Sequence, residues 1–169
     1  MNMLGSIREQ ILLPEQKTLF DYWRQQSATN GIPSYTDIDP SVIGEFLPTV
    51  SLMELKTKNE QQRYKFRLAG TGFYNFFEHE ITGRYLDEVL CHEQQIYWDR
   101  IYNKMLETRR PRVGVTRSRT PIGGHLLQFW IRLPLSCDGA NVNMILGFDK
   151  FIKPKQLERE SAIIEKMSA

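Results

Sequence analysis

Alternation of apolar and polar residues along the chain predicts five β-strands. In the segment Arg63 to Leu68, the side chains of Tyr64, Phe66 and Leu68 fall on one side and charged side chains fall on the other, which is the period of a half-buried strand. Similar patterns predict strands at residues 49–57, 112–120, 125–135 and 142–151. The short polar link between the first two strands predicts a hairpin, and the last three strands predict an antiparallel meander.

A repeat of apolar residues every three to four positions predicts helices before, between and after the strands. The first helix begins at Pro14, carries the apolar stripe Leu19, Phe20 and Trp23, and ends at Gly31, which suits a left-handed cap. This stripe could pack on the chain's own sheet or pair with a second subunit. Further helices are predicted at residues 42–47, 73–77, 86–90, 93–108 and 155–167.

Two strands, several helices and three more strands, in that order, predict an α+β fold whose helices cover one face of the sheet. A chain of 169 residues suits one domain of this kind with a short extension at each end. We therefore divide the sequence into an N-terminal helical extension at residues 1–34, a domain at residues 35–152 and a C-terminal helix at residues 153–169.

An ordered series of short motifs resembles the PAS domain family. The motifs are Tyr22-Trp23, DIDP at residues 37–40, FLP at 46–48, FRLAGTGFYNFF at 66–77, ITGRYLDEVL at 81–90, and LPL with a following Asp-Gly at 133–139. The series extends from Tyr22 to Phe148 and is similar above all to short bacterial proteins, mostly of unknown function, that are little more than one PAS domain. The resemblance implies a PAS-like five-stranded antiparallel sheet and a role as a sensory or regulatory module in signal transduction.

The composition is that of a soluble globular protein, with 41% hydrophobic and 25% charged residues. A formal net charge of +2 argues against a strongly charged molecule as the main partner. Cys91 and Cys137 lie far apart without a CxxC motif, which predicts two free thiols in a reducing compartment. The sequence shows neither a signal peptide nor an apolar run of about 20 residues, so we expect a cytoplasmic protein without a membrane partner.

Arginines are concentrated in and beside the third predicted strand. They are Arg109, Arg110, Arg112, Arg117 and Arg119. These side chains could bind nucleic acid or another anion, or they could keep the exposed side of a strand from pairing with another chain. The nearly balanced total charge favours the second interpretation, so we expect no nucleic acid partner.

The sequence lacks the motifs of an enzyme site. The GTG segment at residues 70–72 follows a strand, but a dinucleotide fingerprint would need glycine at position 75, where the chain has Asn75. The side chains of the adjacent Cys91 and His92 generally point apart, and no element that would hold an oxyanion is visible. We therefore predict a protein that is not an enzyme.

We also expect neither a metal nor a haem or flavin cofactor. Some PAS domains bind haem, but His79, His92 and His125 share no metal-binding spacing. Light-sensing PAS domains that use flavin carry a reactive cysteine in an Asn-Cys-Arg motif, whereas Cys91 is followed by His92.

Inward-facing apolar positions give candidate walls for a ligand pocket between the sheet and its covering helices. The nine candidates are Phe66, Leu68, Phe73, Phe77, Tyr97, Ile101, Met105, Phe129 and Ile131. The same side chains could instead form a filled core. A strand whose phase is assigned wrongly by one residue would present the opposite set of side chains.

Four residues are predicted to have structural roles. Asp39 precedes a proline and suits the N-cap of a short helix. Gly70 and Gly83 mark the two corners of the segment that follows the second strand. Arg67 is a charged residue in an otherwise apolar strand, which predicts an acidic partner, with Asp39 and Glu45 as the candidates.

The leading hypothesis for function is a stand-alone PAS-type sensor that binds a small, mostly apolar ligand or a signalling protein. The first alternative is a dimerisation adaptor without a ligand, and the second is a small-molecule enzyme with its site in an α+β cavity. We expect a homodimer that pairs through the terminal helices, because two amphipathic termini on a small domain commonly pair subunits.

Overall fold

Five antiparallel strands form one sheet in the computed structural model of the chain, which describes residues 3–120, 124–156 and 158. The strands are β1 (Val50–Lys58), β2 (Gln61–Ala69), β3 (Arg112–Arg119), β4 (His125–Leu135) and β5 (Met144–Ile152). Their order across the sheet is β2, β1, β5, β4 and β3, so the pairing of β1 with β5 joins the first hairpin to the later meander. The α+β fold predicted from the sequence is confirmed.

Helices precede the sheet and connect β2 to β3. They are α1 (Met3–Gln10), α2 (Pro14–Asn30), α3 (Gly72–Phe77), α4 (Leu86–Val89) and α5 (His92–Thr108). A further helix begins at Pro154, but the apolar stripe of the predicted C-terminal helix lies outside the described residues. Among the residues that the structure describes, none of the helices combines the length and the hydrophobicity that crossing a bilayer requires.

The short helix predicted at residues 42–47 is confirmed only in part: a helix is present, but it begins two residues later, and Val42 and Leu47 of its predicted buried face are exposed. After Asp39 the chain makes a turn, which is followed by a 3₁₀ helix at Gly44–Thr49. The Asp39 carboxylate accepts hydrogen bonds from the backbone N–H and the hydroxyl of Ser41, at 2.8 and 2.7 Å. This side chain therefore closes a turn, which aspartate favours as strongly as a helix start.

One face of the sheet packs against α2 and is called the α2 face here. Leu19 and Phe20 of α2 are 0% exposed and Trp23 is 3% exposed, because they pack against residues of β1, β4 and β5. The Trp23 indole N–H also donates to the Pro134 carbonyl at 2.9 Å. The apolar stripe of α2 thus packs on the chain's own sheet, which is the first of the two interpretations that the sequence allows.

The opposite face packs against α3, α4 and α5 and is called the α5 face. Trp98, Tyr102 and Met105 of α5 are buried there against Met53 of β1 and Ile145 of β5. Their spacing of three to four residues follows from the helical period, which places one stripe of α5 against the sheet. The sheet is therefore covered by helices on both faces, so the prediction that helices cover only one face is wrong: α2, assigned to an N-terminal extension, packs on the second face.

A β-bulge in β2 changes the direction of its last residues. Phe66 pairs with Met53, which faces α5, whereas Leu68 pairs with Leu52, which belongs to the core of the α2 face. Arg67 is the extra residue between the two pairs. Leu68 is consequently turned away from α5 and is 45% exposed.

The two edges of the sheet differ. On the outer side of β2, the backbone N–H of Gly83 donates to Phe66 at 2.6 Å, and the N–H of Phe66 donates to Arg84 at 2.9 Å. Beyond β3, no further strand pairs within the described part of the chain. Arg117 and Arg119 are exposed on β3, which is the placement expected of charges that protect an open edge.

Candidate functional site

The α5 face contains six of the nine predicted pocket residues. Phe66, Phe73 and Met105 are buried in its core, and Phe77, Tyr97 and Ile101 are partly buried against it. They come from β2, α3 and α5. The corners that follow β2 bring α3 and α5 onto the same side of the sheet. The sequence pattern therefore brings most of the candidates together.

The assignments of Phe129, Ile131 and Leu68 to this set are wrong. Ile131 belongs to the core of the α2 face, and Phe129 points to the same side of β4 because it lies two residues away. The last eight residues of β4 are all buried, so no apolar–polar alternation reveals which side each one faces. Leu68 leaves the α5 face at the bulge in β2.

The structure shows the surroundings of Arg67, Gly70 and Gly83, three of the residues predicted to have structural roles. Arg67 has an acidic partner, but the partner is Glu54 at 2.8 Å and neither of the two predicted residues. A Cβ atom on Gly70 would lie 2.0 Å from the Leu47 carbonyl oxygen, so the close approach of two backbones requires glycine there. Gly83 has a φ of 84°, the left-handed conformation that glycine adopts without strain.

Aromatic rings occupy the space where a ligand pocket was predicted. Trp98 stacks on Tyr102 with ring centroids 5.5 Å apart and meets the ring of Trp130 edge-on at 5.1 Å. Phe76 of α3 stacks on Phe151 of β5 at 4.1 Å. Such pairs add stability beyond the burial of their area. The centre of the α5 face is therefore a packed aromatic core.

A buried ion pair lies within this aromatic core. The Arg132 guanidinium donates from Nη2 to the Asp149 carboxylate at 2.9 Å, and the side chains are 5% and 0% exposed. Arg132 Nε donates to the Tyr102 hydroxyl oxygen at 3.2 Å, and the guanidinium lies 4.5 Å from the ring centroid of Trp98. A buried pair of this kind is weak evidence for stability, because desolvation of the two charges opposes their attraction. Loss of either partner would leave the other charge buried alone.

The electrostatics of the pair extend to its neighbours. Burial by itself lowers the pKa of Arg132, but the nearby Asp149 carboxylate and the hydrogen bonds to Asp149 and Tyr102 outweigh it, so the pKa is raised. Burial raises the pKa of Tyr102 to about 12, although the charge of Arg132 opposes the change. Arg132 is consequently charged and Tyr102 neutral at every physiological pH.

Hydrogen bonds continue from the ion pair to the edge of the sheet. Gln128 Nε2 donates to Asp149 Oδ1 at 2.7 Å, and the Ser118 hydroxyl donates to Gln128 Oε1. Both side chains are buried, at 7% and 3% exposure. The second carboxylate oxygen, Asp149 Oδ2, is buried without a hydrogen-bond partner among the described residues. We call Ser118, Gln128, Asp149, Arg132 and Tyr102 the polar chain.

The polar chain ends at a cleft. A cleft of about 260 Å³ lies between the start of α5 and the ends of β3 and β4, and it is partly open to solvent. Its walls include Glu93, Tyr97, Trp98, Thr116, Ser118 and His125. The Trp130 indole N–H donates to the Tyr97 hydroxyl oxygen at 3.1 Å, which fixes one wall against the aromatic core. Ser118 is therefore both the wall of the cleft and the outer end of the polar chain.

Two glycines provide the space that this arrangement needs. A Cβ atom on Gly114 of β3 would lie 2.5 Å from the ring of Trp130. A Cβ atom on Gly147 of β5 would lie 2.5 Å from the Ser51 hydroxyl and 3.2 Å from the Arg132 guanidinium. Glycine within a strand commonly marks a close approach of this kind.

The remaining candidates for chemistry do not assemble. Cys91 is exposed at the start of α5, and its thiol donates to Gln94 Oε1 at 3.4 Å. Cys137 is exposed in the turn before β5. Within the described ranges, no three His, Cys, Asp or Glu side chains converge as a metal site requires.

The polar chain was missed at the level of sequence, although a signal was present. Arg132 interrupts an apolar strand, and Asp149 interrupts the next one. Charged residues in strands that are apolar on both sides are almost never buried unless they are paired. The reasoning that predicted an acidic partner for Arg67 applies equally to Arg132, and it would have paired Arg132 with Asp149.

Comparison with known proteins agrees with this architecture. The sequence profile of the family described as PAS domain matches residues 13–149. No curated protein matches the sequence. Among solved structures, the light state of the blue-light photoreceptor Aureochrome1 LOV is similar with a TM-score of 0.50 and 10% identity, over 76% of this chain and 98% of that one. The RsLOV d2 variant is similar with a TM-score of 0.50 and 14% identity, over 89% of this chain and 74% of that one.

Proposed function

The chain belongs to the PAS domain family, and from that membership we propose that it is a sensory module that binds a small ligand in the cleft beside Ser118. Binding there changes the polar chain and, through it, the surface that a signalling partner reads. The notion of a mostly apolar ligand in the centre of the α5 face is replaced by a ligand in the cleft, because aromatic rings occupy that centre. We further propose that the protein has no catalytic activity of its own.

The observation that carries the proposal is the connection of the cleft to a buried polar chain. Ligand sites typically combine apolar and aromatic walls with a few convergent polar groups. Here Tyr97 and Trp98 provide aromatic walls, and Ser118 is the polar group that leads inward. Because the polar chain is buried and continuous, a change at Ser118 reaches Asp149 and Arg132 through hydrogen bonds.

A fragment screen by NMR tests this function. The reporter is the indole N–H of Trp130, which donates to Tyr97 in the wall of the cleft. We expect some small aromatic molecules to shift this resonance in a saturable manner. The screen is accompanied by native mass spectrometry of gently purified protein, in which a retained small molecule is expected.

A matched pair of variants locates the binding. Thr116 lines the cleft, whereas Val115, the preceding residue of β3, is 42% exposed on the other side of the strand. Thr116→Phe should fill the cleft and abolish the shifts, and Val115→Phe should leave them unchanged. The function is refuted if no molecule binds, or if the bound molecules are insensitive to Thr116→Phe.

A flavin is a second candidate ligand, supported by the likeness of the fold to LOV photoreceptors. The described residues suit it poorly. The rings of Trp98, Tyr102 and Trp130 and the pair of Arg132 with Asp149 occupy the space between α5 and the sheet. An absorbance spectrum of freshly purified protein tests for a bound flavin, because flavin absorbs visible light. Haem also absorbs visible light and would be detected in the same spectrum.

A ligand-free dimerisation adaptor has less support. The apolar stripe of α2 is buried on its own sheet, so α2 does not present it to a second subunit. Pairing through the C-terminal helix stays a proposal, because that helix lies mostly outside the described residues. Size-exclusion chromatography with light scattering, on the full chain and on a chain that ends at residue 153, tests it: loss of the dimer on truncation supports pairing through that helix.

A further inference from the structure

We propose that the cleft selects neutral, planar heterocycles that carry a ring N–H, and that the polar chain sets this preference by fixing which hydrogen-bonding atoms Ser118 has available. The inference rests on the proposed function of the cleft and names the chemistry of its ligand. It follows from an inventory of donors and acceptors that starts at the buried end of the polar chain.

The buried end has a fixed polarity. A guanidinium can only donate hydrogen bonds and a carboxylate can only accept them. Asp149 Oδ1 therefore accepts from Arg132 Nη2 at 2.9 Å and also from the neighbouring side chain of Gln128 at 2.7 Å. Because an acceptor cannot face another acceptor, the amide nitrogen of Gln128 must be the end that faces Asp149.

This orientation determines the hydroxyl of Ser118. With its nitrogen towards Asp149, Gln128 turns its carbonyl oxygen towards Ser118, and that oxygen needs a donor. A hydroxyl has one proton and two lone pairs, and the proton of Ser118 is used by Gln128. Towards the cleft, Ser118 can therefore only accept a hydrogen bond, so a ligand group that contacts it must donate.

The charges at the rim of the cleft narrow the class of donor. Arg117 and Arg119 line the cleft although their side chains leave β3 on the side of Val115. Glu93 lines it as well, so the lining residues carry one net positive charge. This excess of positive charge disfavours an ammonium donor. The aromatic side chains of Tyr97 and Trp98 favour a flat ring. A neutral ring N–H, as in a lactam or an imide, meets all three conditions.

Two probes that differ in one methyl group test the preference. 2-Quinolone has a ring N–H beside a carbonyl group, and N-methyl-2-quinolone has the same ring without the donor. We expect 2-quinolone to shift the Trp130 indole resonance and to bind about tenfold more tightly than its N-methyl analogue, because a buried acceptor left without a donor costs about that much affinity.

Ser118→Ala removes the acceptor and should bring the two affinities to the same value. The ratio of the two affinities is the informative measurement, since a merely structural effect would weaken both probes together. Ser51→Ala is the matched control: Ser51 is a buried serine of β1 that does not line the cleft, and its hydroxyl has no partner among the described residues. This control should preserve the tenfold ratio.

Equal binding of the two quinolones to the unchanged protein would overturn the inference. If that equal binding is lost in Thr116→Phe, the cleft is a ligand site and the proposed function survives. If neither quinolone binds, the inference also falls, and the proposed function is then judged by its own fragment screen. A ratio that persists in Ser118→Ala would likewise refute the role of Ser118.

Discussion

The two faces of the sheet are both well buried, yet they are built differently. On the α2 face, the core that joins α2 to β1, β4 and β5 is apolar apart from the buried Gln16 of α2, and none of its described residues is a buried charge. On the α5 face, a core of comparable burial encloses Arg132 and Asp149, which are the buried charged residues in the described part of the chain. An apolar face needs only hydrophobic side chains of suitable size. A buried ion pair requires partners in fixed positions, so the α5 face is where the fold departs from what packing alone would select.

The largest expected effect concerns the ion pair itself. Arg132→Met should lower the free energy of unfolding by about 3 to 5 kcal/mol, because it leaves Asp149 buried without its partner. The double variant Arg132→Met, Asp149→Leu should recover most of that loss. Urea denaturation measures both. If the double variant were as unstable as the single one, the pair would be a net source of stability and the contrast between the faces would disappear.

A truncation on the α2 face should cost nearly as much but act differently. Leu19→Ala removes a side chain that is 0% exposed and should cost about 2 to 5 kcal/mol, according to how far the surrounding residues close the gap. It should leave the indole N–H resonance of Trp130 unchanged, because α2 lies on the other side of the sheet. A shift of that resonance in Leu19→Ala would show that the two faces are coupled through the sheet.

Alkaline pH should destabilise the protein through the α5 face. Burial raises the pKa of Tyr102 to about 12 and also raises that of Tyr64, whose ring centroid lies 4.7 Å away. Below a pH of about 10, both tyrosines are protonated in the folded and the unfolded chain. At higher pH the unfolded chain loses these protons first, so stability should fall by roughly 1.4 kcal/mol per pH unit for one such group, as far as the folded pKa.

Tyr64→Phe is the control for this pH dependence. The Tyr64 hydroxyl is buried without a hydrogen-bond partner among the described residues, so its removal breaks no recorded bond. The variant should reduce the slope of stability between a pH of about 10 and about 12 without a loss of stability at neutral pH. An unchanged slope would mean that other groups control the alkaline transition.

The smallest effect is expected from an ion pair on the exposed side of the α2 face. Lys150 of β5 bonds Glu15 of α2 at 2.6 Å, but both side chains are partly exposed, at 43% and 35%. Glu15→Gln should therefore cost only about 0.2 to 1 kcal/mol. Added salt should reduce this cost, whereas it should hardly change the effect of Arg132→Met. A larger cost for Glu15→Gln would contradict the difference between exposed and buried pairs.

The sequence predicted the parts of this fold that are periodic. The hairpin of β1 and β2 and the meander of β3 to β5 follow from regular spacing of apolar residues. The inner stripe of α5 was predicted as Tyr97, Ile101 and Met105, whereas the buried residues are Trp98, Tyr102 and Met105. The position of α5 over the sheet follows as well, because Met105 is apolar where the helix meets the sheet.

The predictions were wrong where the sequence pattern does not show which side of the sheet a residue faces. β4 is buried on both faces, so its apolar run does not show that Trp130 faces α5 while Ile131 faces α2. The bulge at Arg67 depends on the pairing of two strands, which no local pattern encodes. The polar chain joins β3, β4 and β5, and its members are recognisable as partners only once the register of those strands is known.

The absence of a side chain at Gly147 restricts which residues the chain can carry at the positions that contact it. Its missing side chain leaves the space that the Arg132 guanidinium and the Ser51 hydroxyl occupy. An alanine at position 147 would place its Cβ atom 2.5 Å from the hydroxyl of Ser51, so that hydroxyl would have to move or be lost, whereas the Arg132 guanidinium, at 3.2 Å, would need to shift only slightly. Positions 51 and 147 should therefore be replaced together in divergent relatives, while the arginine at position 132 can persist beside a small residue at position 147.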